Sequence, residues 1–238
     1  MNRNGAARAP FAYVFLDADW TLFDFGRSEA DALRLAFAER DLPYGEEVRA
    51  RYHEINSALW RGFERGEVSQ GDIQRLRFST LLAELGHVAD GLAFNARYLH
   101  LLAENVHLID GAVEACAALA SRATLVLATN GIGWTQRRRL ANSALAPYFR
   151  FVAASEDAGA QKPEKAFFDY ALCQCGDPDP ARVLMVGDQL NTDILGAARA
   201  GLATCWYNPA GAARPADAPR IDHEIRRLDE LAGIVGGS

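Results

Sequence analysis

No cysteine framework is written into this chain. Its four cysteines, Cys116, Cys173, Cys175 and Cys205, form no Cys-x-x-Cys pair, and no His-rich ligand spacing accompanies them. Reduced thiols in a cytosolic protein are the expectation. A basic block is missing too. Arg137-Arg138-Arg139 is a run of three, and it reads as the solvated face of a helix. With a formal net charge of -6, the chain lacks the electrostatic footprint of a duplex nucleic-acid binder. A small phosphorylated ligand needs no more than a local positive site and stays open. No stretch approaches the ~20 apolar residues of a membrane span. Met1 to Pro10 carries Arg3 and Arg8 without the apolar stretch of a signal peptide. The expectation is a cytoplasmic protein with a frayed N-terminus, no membrane partner and no nucleic-acid partner. Internal repeats and low-complexity tracts are also lacking, and the sequence does not set an oligomeric state.

What is present begins with 238 residues, half of them hydrophobic. That suffices for one large domain or for a domain with an insertion. Phe11-Ala12-Tyr13-Val14-Phe15-Leu16 reads as a buried strand. From Ser28 to about Val106 the pattern is helical: Leu33, Ala36 and Phe37 share one face, and Ile55, Leu59 and Phe63 another. Ile73, Leu76, Phe78, Leu81 and Leu82 continue the theme, with Leu99, Leu102 and Val106 after them. Beyond Gly111, short β-rich runs alternate with helices: residues 124–128, 151–153, 183–186 and 203–207. That alternation predicts β-α-β units and a parallel sheet. The fold class is α/β, a Rossmann-like doubly wound parallel core. Residues 1–24 and 109–238 form that core, and residues 25–108 are a helical insertion after its first strand. An insertion there suits a lid or specificity cap.

Each expected strand ends in polar residues. Asp17-Ala18-Asp19-Trp20-Thr21 follows the first, Thr129-Asn130-Gly131 the second, and Gly187-Asp188 through Asp193 the Val183 strand; Lys162-Pro163 lies in the loop beyond Phe151. Ligands of parallel sheets bind beyond the carboxyl ends of strands. Two carboxylates spaced i, i+2 there can divide labour between nucleophile or metal ligand and proton shuttle. A phosphate needs donors, which Thr129, Asn130 and backbone N–H groups near Gly131 offer. Lys162 and a metal would neutralise its charge, and Mg²⁺ suits the hard oxygens of Asp17 and Asp188. Together the residues fit phosphoryl transfer. Bland readings exist for each. Asp-x-Asp also makes turns, Thr129-Asn130-Gly131 can simply end a strand, and Lys162-Pro163 can be a surface loop. Asp188 can cap the next helix, and Asp193 can sit in its first turn. Four such accidents in chain order weigh against chance.

With these residues in order, the chain resembles the haloacid dehalogenase superfamily of phosphotransferases. Asp17 to Thr21 matches the first motif, Thr129 the second, Lys162 the third, and Gly187-Asp188 to Asp193 the fourth; the helical insertion takes the C1 cap position. Within the superfamily it is similar to the bacterial house-cleaning pyrimidine 5′-nucleotidases, through Phe168 to Leu172, Arg182 to Asp188, Asp193 to Gly196 and Ala200 to Trp206. Leu59-Trp60, Gly66 and Arg77-Phe78 in the insertion are similar too, and read more readily as helix packing than as substrate contacts.

The resemblance implies a Mg²⁺-dependent phosphatase that hydrolyses nucleoside 5′-monophosphates, pyrimidines preferred, through an aspartyl-phosphate. It implies that Asp17 attacks phosphorus and that Asp19 protonates the leaving oxygen, then deprotonates water. Asp17, the Asp19 carbonyl and Asp188 would hold Mg²⁺, with Asp193 supporting the metal or the lysine from behind. Thr129, Asn130, Gly131 and Lys162 would hold the phosphate. Asp19 argues against the dehalogenases of the superfamily, which lack a second carboxylate there. Trp20 departs from the pattern, standing where a glycine, small or acidic residue is usual. It would narrow the pocket, stack on a base or pack beneath the cap. The rival expectations are a sugar-phosphate or phosphoglycolate phosphatase, a β-phosphoglucomutase-like isomerase, and a catalytically silent small-molecule-binding protein on the same fold.

Overall fold

The structure is a computed structural model and describes residues 10–236; the expected frayed N-terminus lies outside the described residues. The chain divides into two compact units. One joins the chain up to Asp24 with the chain from Leu108 onward, and the other is Phe25–His107.

The first unit is built on a parallel sheet: β1 (Tyr13–Leu16), β2 (Thr124–Thr129), β3 (Phe149–Ala154), β4 (Val183–Gly187), β5 (Ala203–Tyr207) and β6 (His223–Ile225). Its order is β3-β2-β1-β4-β5-β6, with every pairing parallel. Central parallel strands are covered on both faces, which is why β1 and β4 read as unbroken apolar runs. Val14, Phe15, Leu16 and Val183 to Val186 are fully buried. Phe15, Val126 and Met185 pack with Phe167, Phe168 and Ala171 of the helix Lys165–Gln174 in one core.

The chain leaves β1 toward β2 on one side of the sheet and reaches β4 on the other. This reversal in strand order opens a crevice at the carboxyl ends, where doubly wound sheets bind ligands. Leu16 is in register with Leu127 on one side and Val186 on the other. Asp17, Thr129-Asn130 and Asp188 therefore emerge side by side.

The β6 strand escaped the sequence reading. It is a three-residue edge with a polar pair, His223 and Glu224, and too short to show alternation.

The second unit holds α1 (Phe25–Ala38), α2 (Glu46–Glu64), α3 (Gln70–Glu84) and α4 (Gly91–Glu104). Ser69 and Asp72 cap α3 reciprocally, and Asp90 accepts from the first turn of α4. Aromatic rings fill the interior. The centroids of Phe78 and Phe94 lie 4.7 Å apart, and those of Phe37 and Phe94 lie 5.2 Å apart. Arg77 is buried with them; its Nε donates to Asn95 Oδ1 at 2.6 Å, and its guanidinium sits 4.9 Å from the Tyr98 ring. Arg77 and Phe78 are thus interior residues of this unit. Leu76, placed on the buried face by periodicity, is exposed. No helix among the described residues is long and apolar enough to cross a membrane. All four cysteines carry free thiols.

Candidate active site

Asp17 is the first residue past β1, and its N–H donates to the Val186 carbonyl at 2.9 Å, so β4 fixes its backbone. Its side chain is buried and meets Lys162, whose Nζ donates to Asp17 Oδ1 at 2.5 Å. The same ammonium donates to Asp193 Oδ1 at 2.7 Å and to the Ala128 carbonyl at 2.8 Å. All three Lys162 donors are thereby used, as a buried cation requires. Burial works to lower the Lys162 pKa, and the Asp17 and Asp193 carboxylates more than reverse this, so the ammonium stays charged.

Asn130 fastens this lysine. Its amide donates to the Lys162 carbonyl at 2.9 Å, and its own oxygen accepts from the Lys162 N–H at 2.8 Å. The Gly131 N–H donates to the Thr129 hydroxyl at 2.9 Å. The sequence reading offered the Asn130 amide and the N–H near Gly131 to a phosphate. In the structure the amide holds Lys162 and the N–H holds Thr129.

Asp188 follows β4, and its carboxylate accepts from Gln189 Nε2 at 2.8 Å. Its backbone carbonyl accepts from Trp206 Nε1 at 3.0 Å. The chain then makes one wide helical turn, Leu190–Ile194, in which Ile194 N–H reaches back to Gln189 at 3.3 Å. That turn brings Asp193 under the end of β4. A Cβ on Gly187 would lie 2.2 Å from Asp193 Oδ2, so only glycine lets this carboxylate approach. Asp193 Oδ2 accepts from the Gln189 N–H at 3.1 Å.

Asp17, Asp188 and Asp193 each bring a carboxylate oxygen within 4.8 Å of the others. Three acids share one lysine, and burial raises the pKa of two of them, Asp17 and Asp188. Burial, above all, pushes the Asp17 carboxyl well up, opposed by Lys162. Burial and the neighbouring Asp193 charge push Asp188 up to about 7. Three hard carboxylate oxygens this close could hold a divalent cation.

Asp19 stands two residues beyond Asp17 in a closed loop, where the Trp20 N–H donates to the Phe23 carbonyl at 2.9 Å. Trp20, the residue after Asp19, has a left-handed backbone, φ 66°, and a half-exposed indole. Both Asp19 oxygens are held by the helix Gly133–Ala141: Oδ2 accepts from Gln136 Nε2 at 2.7 Å, and Oδ1 from Arg139 Nη1.

Residues 11–201 match the haloacid dehalogenase-like hydrolases. The chain belongs to that family. This hydrolase is 40% identical over 224 residues to the HAD-hydrolase YfnB of Bacillus subtilis (strain 168), a match covering 93% of this chain and 94% of that one. A crystal structure of YfnB bound to magnesium superposes with a TM-score of 0.86 at 38% identity, covering 94% of this chain and 98% of the other. The pyrimidine 5′-nucleotidase YjjG of Escherichia coli (strain K12) is 37% identical, covering 82% of this chain and 85% of its own. The pyrimidine 5′-nucleotidase PynA of Streptococcus pneumoniae (strain ATCC BAA-255 / R6) is 35% identical, covering 84% of each.

Asp17, Asp19, Lys162, Asp188 and Asp193 of the hydrolase lie at the carboxyl end of its sheet. Sequence reasoning missed Gln136, Arg139, Gln189 and Trp206. It also misread the arginine run. Arg137 and Arg138 are exposed as expected, but Arg139 is fully buried against Asp19. A helical turn faces two ways, so consecutive arginines do not share one environment. The spacing of Gln136 and Arg139, i and i+3 on one face, was the available clue.

Proposed function

We propose that this hydrolase is a Mg²⁺-dependent 5′-nucleotidase that releases phosphate from nucleoside monophosphates and prefers pyrimidines. The observation that carries the chemistry is the buried Asp17–Lys162 pair beside Asp188 and Asp193, with a second acid at Asp19. The base preference is supported by the two pyrimidine 5′-nucleotidase relatives.

Asp17, Asp188 and the Asp19 backbone carbonyl would hold Mg²⁺. Asp193 would stand behind them, since its oxygens already accept from Lys162 and Gln189. Bound there, the cation supplies charge neutralisation and a template for the phosphoryl oxygens. Lys162 keeps Asp17 anionic and oriented. Asp17 attacks phosphorus, the bond from phosphorus to the leaving oxygen breaks, and Asp19 gives that oxygen its proton. Water then attacks the phosphorus of the aspartyl-phosphate and passes its proton to Asp19. Phosphate departs and Asp17 is restored. Thr129 and the Asn130 backbone would bind the phosphoryl oxygens, and Lys162 and the Gly131 N–H would join them by exchanging one of their present acceptors for phosphate.

The helical unit Phe25–His107 is proposed as the cap that selects the substrate. The interdomain movement described for magnesium-bound YfnB supports a mobile cap. A cytoplasmic location is part of the same proposal, supported by the free thiols.

The test is phosphate release from UMP, dUMP, dTMP, purine monophosphates and small sugar phosphates, with Mg²⁺ or with EDTA, and with Asp17→Asn as control. Release from pyrimidine nucleotides that disappears with EDTA and in the variant is expected. Release confined to sugar phosphates would overturn the nucleotidase reading.

A further inference from the structure

Asp19 is gripped at both oxygens, and the grip is closed on itself. Arg139 Nη1 donates to Asp19 Oδ1 and also to Gln136 Oε1 at 3.1 Å, while Gln136 Nε2 donates to Asp19 Oδ2 at 2.7 Å. The amide orientation of Gln136 is fixed by this ring, because its oxygen is the acceptor for arginine and its nitrogen the donor to the acid. Both side chains are buried, Arg139 fully. The guanidinium lies 4.5 Å from the ring of Phe23, which itself anchors the Asp19 loop through the Trp20 N–H. Gly131 completes the arrangement: a Cβ there would stand 2.3 Å from Gln136 Nε2 and expel the amide. An arginine buried at such cost on a helix surface, aimed at one exposed-edge carboxylate, calls for a reason beyond solvation.

We propose that Arg139 and Gln136 are positioning residues that fix the rotamer of the Asp19 carboxylate for proton transfer to the leaving oxygen and from water. Neither touches the reacting atoms. They act through Asp19, and this assignment rests on the nucleotidase chemistry above for its catalytic consequence. A carboxylate two bonds from its backbone has freedom about χ1 and χ2, and proton transfer requires hydrogen-bond reach of one particular oxygen. Two donors from a rigid helix remove that freedom. The fork also gives the Asp19 loop and the helix Gly133–Ala141 a shared anchor, so the turn after β2 and the turn after β1 are set together.

The experiment compares Arg139→Met, Arg139→Lys and Gln136→Leu with the parent enzyme on phenyl phosphate and p-nitrophenyl phosphate. The two esters have nearly the same shape, but nitrophenolate leaves with little help from an acid. The expectation is a fall in kcat/KM of about 10²-fold on phenyl phosphate in Arg139→Met, much less on p-nitrophenyl phosphate, with KM nearly unchanged. Gln136→Leu should show the same asymmetry, and Arg139→Lys should recover part of the loss. Equal losses on both esters would mean a merely structural role and overturn the proposal. A rise in KM on both would make Arg139 a substrate-binding residue and overturn it as well. If the parent enzyme hydrolyses neither ester, the nucleotidase reading is still decided by the nucleotide panel, and the positioning claim is decided by crystal structures of Gln136→Leu and Arg139→Met. Reorientation of the Asp19 side chain supports it, and an unmoved Asp19 contradicts it.

Discussion

Asn130 and Lys162 hold each other twice, each through backbone of the lysine and the amide of the asparagine, at 2.8 and 2.9 Å. The loop before the helix Lys165–Gln174 has no ladder to fix it, and this pair takes the ladder's place. It sets the height at which the ammonium meets Asp17 and Asp193. Asn130→Ala should therefore lower kcat more than it raises KM and cost about 1–2 kcal/mol of stability for the two lost bonds. Urea unfolding measures the second effect, and an unchanged midpoint would show that the pair does not hold the loop.

Lys162→Met leaves Asp17 and Asp193 buried together without their cation. Breaking a buried ion pair by removing one partner costs about 3–5 kcal/mol. The loss should be largest at neutral pH and shrink as the carboxylates take up protons on acidification. Activity should fall by about 10²-fold or more, since the proposed nucleophile Asp17 loses its charge partner. Denaturant titrations at two pH values separate this from a simple packing defect, which would cost the same at both.

Metal-free protein should lose stability as the pH rises from about 4 toward 7. The Asp188 carboxyl is raised to about 7 by burial and by Asp193, and Asp17 is raised in the same direction. In that interval the folded state binds more protons than the unfolded chain, so the stability slope with pH is negative. The contribution is full below the unfolded carboxylate pKa and is gone once the pH passes the folded one. Mg²⁺ should flatten this slope by taking the protons' place. Melting temperatures across pH 4–8 with EDTA or Mg²⁺ provide the check, and parallel curves would contradict the shared-cation site.

Trp20 adopts φ 66°, a conformation that costs an L-residue about 1–2 kcal/mol and costs glycine nothing comparable. Trp20→Gly should accordingly be more stable than Trp20→Ala by about 1 kcal/mol, the reverse of the usual order of these residues. Thermal unfolding of the two variants decides it. A substrate panel on the same proteins shows whether the indole sets base preference: loss of pyrimidine selectivity without loss of turnover identifies it as a recognition surface.

The sheet was legible because β1 and β4 are buried on both faces and carry uninterrupted apolar runs, each ending abruptly in charge. Asp17 and Asp188 could be placed from that boundary alone. The polar partners of those acids were not legible. Gln136 and Arg139 act across more than a hundred residues of chain, and Arg139 sits in a run whose other two arginines are exposed. The use made of the Asn130 amide was equally hidden, since a donor near a strand end looks the same whether it faces a phosphate or a backbone carbonyl. The β6 strand is too short for any period to show.

Acid quenching of the enzyme during turnover of UMP with Mg²⁺, followed by mapping of the phosphorylated peptide, shows whether Asp17 is the nucleophile. Phosphate is expected on Asp17, trapped in the parent protein and absent from Asp17→Asn. Phosphate on another residue, or turnover with no phosphoenzyme and undiminished in Asp17→Asn, would contradict that role.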